Sequence, residues 1–281
     1  EAIGAGTDVV ANVDVASGSG NVSVLGARDV KFTGTADILT TSTAAGSGSI
    51  DVMAGSGSVT QSATSLFQTT GATGTIRVLG QVDVTVGDIV SATGTVSVTA
   101  TTGNILDADP LLAGPADDAD IDVTANKLRL FAGTGVGQNT NHLETTVGTV
   151  SARATSGGIY LRETDALIVD DVGLSVNRVG SDGTTGTGSS TDALQSDVRT
   201  TAGNGNIVIR SNGGTITLND GTATADDTGV SANGTGNVLL EAIGAGTDVV
   251  ANVDVASGSG NVSVLGARDV KFTGTADILT T

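Results

Sequence analysis

Residues 1–41 read EAIGAGTDVVANVDVASGSGNVSVLGARDVKFTGTADILTT, and residues 241–281 read the same, letter for letter. The two copies start 240 residues apart, and 41 identical positions are too many for chance or ordinary divergence. Such self-similarity indicates an array in which each unit packs on its neighbours. We interpret residues 1–240 as one full tandem repeat and residues 241–281 as the start of the next, with no separate globular domain. An engineered duplication is the alternative.

A shorter period lies within this repeat. A small polar residue, usually after Gly, begins a segment in which apolar and polar residues alternate, as in Asn21–Val24 and Thr95–Val98. Alternation of this kind predicts strands with one buried face. Nine such segments fit one repeat, and they start at Asn21, Ser49, Thr75, Thr95, Asp120, Thr149, Gly173, Asn206 and Asn237.

Each segment is followed by a turn and a second alternating strand, such as Asp29–Phe32, and often by a third, such as Asp37–Leu39. Two or three strands joined by turns describe one coil of a parallel β-helix, which buries its apolar face only by stacking. We predict an all-β, parallel β-helix (β-solenoid) with about nine coils per repeat, about 43 Å long at 4.8 Å per coil. One interior column is predicted to hold Val22, Ile50, Ile76, Val96 and their equivalents. An antiparallel sandwich is the alternative, but it explains neither the recurring corner position nor the scarcity of aromatic residues.

The composition agrees with a thin core and limits the partners. Aromatic residues make up 2% of the chain, Gly is abundant at 42 residues, and the mean hydropathy of +0.19 argues against disorder. The net charge of −18 repels nucleic acid and anionic membranes. No apolar run is long enough to cross a bilayer. We therefore expect neither nucleic-acid binding nor membrane insertion.

Two sets of positions along the segments differ in character. The residue before the first inward residue is small and polar, so we predict hydrogen-bonded ladders along the axis that stabilise the stack. The next outward position is mixed, which argues against the regular threonine array of an ice-binding surface. The outward residues are Ser23, Asp51, Arg77, Ser97, Asp122, Ser151, Ser175, Val208 and Leu239. Of these, Val208 and Leu239 are apolar, and we predict that they either pack under a loop or mark a lateral contact between fibres.

Carboxylates are the only plentiful reactive groups. The densest group lies near Leu106–Asp118, a segment with both prolines that we predict to be a loop leaving the stack, as is Gly180–Thr191. Hard cations such as Ca²⁺ take several oxygen ligands. The calcium candidates are Asp107, Asp109, Asp117, Asp118 and Asp120, with Asp122 beside them. Solvated turn residues are the simpler interpretation, and paired acids of a glycosidase are a third.

The single histidine, His142, lies in a polar stretch, where we expect it to be a surface loop residue, and the chain has no Cys. The chain therefore lacks most of the residues that a catalytic triad needs. We expect that it is not an enzyme and that it binds no cofactor other than calcium.

The stretch from residue 125 to residue 170 includes NKLRLFAGTGVG, LETTVGTV and GGIYLRETDALIV. It resembles the β-helical repeat region of filamentous-haemagglutinin-like giant bacterial exoproteins. That resemblance implies a right-handed β-helix, export to the bacterial cell surface, and a role in adhesion or surface structure. The crossover rule for parallel strands favours the same hand.

Our first hypothesis for function is a structural surface fibre whose partners are other copies of itself. The second is an adhesin stalk that binds a glycan or another surface ligand through its loops. A carbohydrate-active enzyme is the third.

Overall fold

The computed structural model describes residues 1–44, 47–71, 73–109 and 120–281. Within those ranges the chain forms strands, bridges and turns, and it contains no helix. It follows that no helix in these ranges is able to cross a membrane. The all-β prediction is confirmed.

The strands are short, and most have three to six residues. The first fourteen are β1 Val9–Ala11, β2 Val15–Ala16, β3 Val22–Gly26, β4 Val30–Phe32, β5 Ile38–Ser42, β6 Ile50–Ala54, β7 Val59–Gln61, β8 Leu66–Gly71, β9 Thr75–Gly80, β10 Val84–Val86, β11 Asp88–Ala100, β12 Ile105–Asp107, β13 Val123–Ala132 and β14 Leu143–Ala154. The rest are β15 Ile159–Glu163, β16 Leu167–Val169, β17 Val172–Val179, β18 Thr185–Gln195, β19 Val198–Thr200, β20 Ile207–Ser211, β21 Ile216–Leu218, β22 Thr228–Ala232, β23 Val238–Ala242, β24 Asp248–Ala251, β25 Asp254–Ser257, β26 Val262–Gly266, β27 Asp269–Phe272 and β28 Ile278–Thr280.

Parallel pairing joins these strands into long lines, in each of which a strand pairs with the next one along the line. We call each step along a line a layer, so that one layer holds one strand from every line. The first line begins β3–β6–β9 and continues through the second halves of β11, β13 and β14. The second runs β1–β4–β7–β10–β12, and single bridges through Val136 extend it to β15, β20, β23 and β26. The third begins β2–β5–β8 and continues through the first halves of β11, β13 and β14.

The assignment of strands to lines changes in the middle of the chain. The second half of β14 pairs with two strands of the next layer. Its first residues, from Thr149, pair with β16, and its last residues, to Ala154, pair with β19. Above them run β16–β21–β24–β27 and β19–β22–β25–β28. A single antiparallel ladder, β17–β18, interrupts this order among the described residues.

The inward side chains of these lines form a thin core of stacked β-branched residues. Val22 pairs with Ile50, Ile50 with Ile76 and Ile76 with Val96, as predicted for one interior column. In this column Val22 is 8% exposed, and Ile50, Ile76 and Val96 are each 0% exposed. Val, Ile and Thr suit this pleated environment because their χ1 angles are already restricted.

Beyond Val96 the predicted column holds only at Val150, which pairs with Leu128 in the first line, whereas the segments that begin at Asn206 and Asn237 lie in the second line. Val96 pairs with Leu128, and the segment that begins at Asp120 continues the third line, where Val123 pairs with Ile89. The reason is that β11 and β13 run from the third line into the first as unbroken strands. The segment beginning at Gly173 is also misplaced, because it lies in the antiparallel ladder rather than in a line.

The predicted polar ladders are confirmed where their hydrogen bonds are resolved. Asn21 Oδ1 accepts the Ser49 amide at 2.9 Å, and Asn206 Oδ1 accepts the Asn237 amide at 2.9 Å. Asn237 Oδ1 in turn accepts the Asn261 amide at 2.8 Å. Each such bond satisfies a backbone donor at a strand start, where an unpaired amide would be costly.

The two identical segments fold alike but lie in different surroundings. Val9 pairs with Val30 in the first copy, as Val249 does with Val270 in the second. Arg28 contacts Asp8 at 2.7 Å, and the equivalent pair Arg268 and Asp248 is also 2.7 Å apart. In the first copy β4 is covered by β7, and Val30 is 0% exposed, whereas the uncovered Val270 is 41% exposed.

We expect Phe32→Ala to lower the free energy of unfolding by about 3–5 kcal/mol, because it opens a cavity in a covered layer. Phe32 is 1% exposed and meets Phe67 edge to face at 4.7 Å, whereas the identical Phe272 is 37% exposed. Phe272→Ala is therefore the matched control, with an expected loss below about 1 kcal/mol. Urea denaturation of both variants measures the difference, and equal losses would contradict the layered core.

Candidate functional site

The main departure from the regular lines is the antiparallel hairpin β17–β18. Its alternating residues Val172, Leu174 and Val176 are buried, and β17 contacts six strands of the first line, from β3 to β14. The predicted excursion Gly180–Thr191 therefore leaves the lines only to fold back over them. It forms the turn of the hairpin and most of β18.

The hairpin makes a polar contact with each of six successive layers of the first line. The outward residues of those layers are in register: Ser23, Asp51, Arg77, Ser97, Arg129 and Ser151. At one end, Val179 donates its amide to Ser23 Oγ at 2.9 Å, and Arg178 contacts Asp51 at 2.6 Å.

Toward the other end of the hairpin, Asp192 accepts hydrogen bonds from Arg77 Nε at 2.9 Å and Ser97 Oγ at 2.6 Å. Arg129 Nε donates to the Ala193 carbonyl at 3.0 Å. Gln195 Nε2 lies 3.4 Å from Ser151 Oγ.

The centre of this contact is a buried charge network. Asp51, Arg77 and Asp192 are 0%, 7% and 8% exposed, and Arg77 bonds to both carboxylates. Burial opposes the charge on Arg77, but the two carboxylates outweigh it and raise its pKa. The outward residues of the first line thus differ from layer to layer because each contacts a different residue of the hairpin. Through these contacts the hairpin connects the six layers.

The calcium candidates are only partly brought together. Carboxylate oxygens of Asp107, Asp122 and Glu144 lie within 4.8 Å of one another, and Glu144 is a member that the sequence did not suggest. Asp109 is near this group because its amide donates to Asp107 Oδ1 at 2.7 Å. Asp120 is exposed and accepts the amide of Ile121 at 3.0 Å.

Asp117 and Asp118 lie outside the described residues, as does most of the predicted loop Leu106–Asp118. Ligand binding by that loop stays a prediction.

The acidic cluster, defined as Asp107, Asp122 and Glu144, is largely buried. Asp122 and Glu144 are each 3% exposed, and burial, reinforced by Asp107 and Glu144, raises the pKa of Asp122. Asn141 Nδ2 donates to Asp107 Oδ2 at 2.7 Å. With one oxygen from each, three carboxylates supply half or fewer of the oxygens that Ca²⁺ takes, so the arrangement is able either to share protons or to contribute part of a cation shell. Calcium stays a prediction.

His142 is buried, at 6% exposed, and its ring stacks on Tyr160 with centroids 5.9 Å apart. The expectation of a surface loop residue is therefore wrong, because the stretch around His142 folds against the outer face of β15.

The residues predicted for a lateral contact lie on another face. Val208 and Leu239 are paired neighbours in β20 and β23, and Tyr160 of β15 pairs with Val208 in the layer below. These three residues, the apolar patch, are partly exposed. They line a shallow cavity of about 280 Å³ rimmed by Asn206, Asn237 and other amides.

A scan against protein-family models and searches of curated proteins and of solved structures each found no match. The resemblance to filamentous-haemagglutinin-like exoproteins therefore stays a prediction.

We expect Asp192→Ala to lower the free energy of unfolding by about 3–5 kcal/mol, because it leaves Arg77 short of a partner in a buried site. Asp226→Ala is the control, since Asp226 faces Arg199 at 3.6 Å and its side chain is 42% exposed. That change should cost at most about 1 kcal/mol. Urea denaturation, with hydrogen exchange of β18, distinguishes the two; an equal, small loss would mean that the hairpin is not held by this network.

We also expect stability to fall as pH rises, through Glu163. Burial raises the pKa of this carboxyl, which is 0% exposed, from 4.5 to about 8. The folded state therefore holds a proton that the unfolded state loses, and the resulting stabilisation is full below pH 4.5 and lost between pH 4.5 and about 8. Glu163→Gln should remove a fall on the order of 4 kcal/mol across that window. Thermal unfolding at both ends of the window measures it, and an unchanged pH profile would refute the assignment.

Proposed function

We propose that the chain is a segment of a right-handed parallel β-solenoid that serves as a structural fibre of tandem repeats. The observation that carries this proposal is the behaviour of the two identical segments. Both fold into the same strands, one covered by the layer that follows and the other resting on the layer that precedes. Each layer thus accepts its neighbour through the same backbone pairing, so one repeat is able to continue into the next without a special junction.

The pairing ladder gives the rise of one repeat. From Val30 to Val262 it has eight steps, through Val59, Val84, Ile105, Val136, Ile159, Ile207 and Val238. Val262 is the copy of Val22, which lies in the neighbouring first line. One repeat therefore adds eight layers and one third of a three-line coil, rather than the nine coils predicted, because the segment at Gly173 enters the hairpin.

A mechanical role accounts for the features described. Buried β-branched columns, polar ladders and a hairpin that clasps six layers all resist separation or sliding of layers, and none of them needs a ligand. The family resemblance adds the proposals that the fibre is bacterial, exported and at the cell surface, with other copies of the chain as partners. The adhesin and enzyme hypotheses gain no specific support from the described residues.

We expect a rod that lengthens by about 40 Å for each added repeat, from a little over eight layers at 4.8 Å. Small-angle X-ray scattering of chains with one, two and three complete repeats measures that increment at constant cross-section. Particles that thicken instead of lengthening, or scattering typical of separate globular domains joined by linkers, would exclude a continuous solenoid.

A further inference from the structure

The direction of the hairpin has a consequence for the junction between repeats. The hairpin starts beside Ser151 in β14 and runs down the first line to Ser23 in β3, which lies five layers away. Its turn, Gly180–Thr184, extends past that last contact. The turn is exposed, and it is closed by hydrogen bonds of its own, including one from the Gly180 amide to the Thr184 carbonyl at 2.8 Å.

The second copy of β3 shows what lies one layer further on. Ser263 is the copy of Ser23, and it pairs with Leu239 in the layer below. Leu239 pairs with Val208, and Val208 with Tyr160. The apolar patch is therefore the direct continuation of the surface along which the hairpin lies.

The turn already faces a piece of that layer. Residues 1–3 copy residues 241–243, which directly follow Leu240. In the structure, Glu1, Ala2 and Ile3 line one cavity of about 370 Å³ with Val179, Gly180 and Ser181. Because strand layers are about 4.8 Å apart and a strand advances about 3.3 Å per residue, a five-residue turn spans at least one layer beyond Ser23.

A repeat cannot place its own turn on its own apolar patch. Its hairpin lies over the line of Val22, whereas Tyr160, Val208 and Leu239 lie in the second line, which also contains Val30. After 240 residues the sequence has moved by one line, so the copy of Val22 stands directly above the patch. The hairpin of the following repeat then points at it.

We propose that the hairpin turn of each repeat packs on the apolar patch of the preceding repeat. This inference rests on the proposed function, since it requires repeats that stack without a break. The partner of Val208 and Leu239 is then the counterpart of Gly180–Thr184 in the next repeat, and not the side of another fibre. This contact would connect two repeats at their junction, where the hairpin's contacts with the six layers of one repeat would otherwise end.

Disulfide trapping in a chain with two complete repeats tests the proposal, because the sequence has no Cys of its own. Leu239→Cys is placed in the first repeat and Ser181→Cys in the second. The control carries the same two substitutions within one repeat, where the two positions lie on different lines. We expect a bond between repeats to form at least ten times faster than the bond within one repeat.

Three results would overturn the inference. They are equal rates for the two arrangements, no bond between repeats, or rapid dimerisation of chains that carry Leu239→Cys alone, which would assign the patch to a contact between fibres. Scattering from the same chains keeps the two proposals apart: a rod without the bond leaves the solenoid standing and removes only this contact. Hydrogen exchange of the turn is a second readout, and it should slow in the second repeat only.

Discussion

The structure depends on one constraint, which is that every strand outside the β17–β18 hairpin must pair in parallel register with the strand one layer away. No layer is able to bury its inward residues alone, as the contrast between Val30 and Val270 shows for one residue in two places. The polar residue at each strand start reinforces the same register, because its side-chain oxygen accepts an amide of the next layer, as Asn21 does from Ser49. Backbone pairing and side-chain ladders thus enforce a single alignment.

The hairpin adds what stacking alone lacks, a connection that runs along the axis. Pairing joins each layer only to its neighbours, so a stack fails at its weakest step. The β17–β18 hairpin spans six layers and places Arg77 between Asp51 and Asp192, so that sliding one layer would leave a buried charge without its partner.

The sequence alone was sufficient for the repeat, the strands, the column from Val22 to Val96 and the polar ladders, because all of these follow from local alternation. It was not sufficient for features that depend on which strands meet. The segment that begins at Asp120 was misplaced because β11 runs from the third line into the first as one unbroken strand. The alternation of apolar and polar residues does not show where a strand changes line. Glu144 joined the acidic cluster only through the pairing of β13 with β14, and the hairpin was hidden because its strands alternate like all the others.

The measurement that tests the central claim most directly is cryo-electron microscopy of a chain with at least three complete repeats. Parallel layers with eight and one third coils per repeat predict hairpins about 40 Å apart along the axis, each turned by about a third of a revolution from the last. Layers spaced at about 4.8 Å perpendicular to a rod, with hairpins winding in this way, would support the account. Hairpins all on one side, or separate domains joined by linkers, would contradict it.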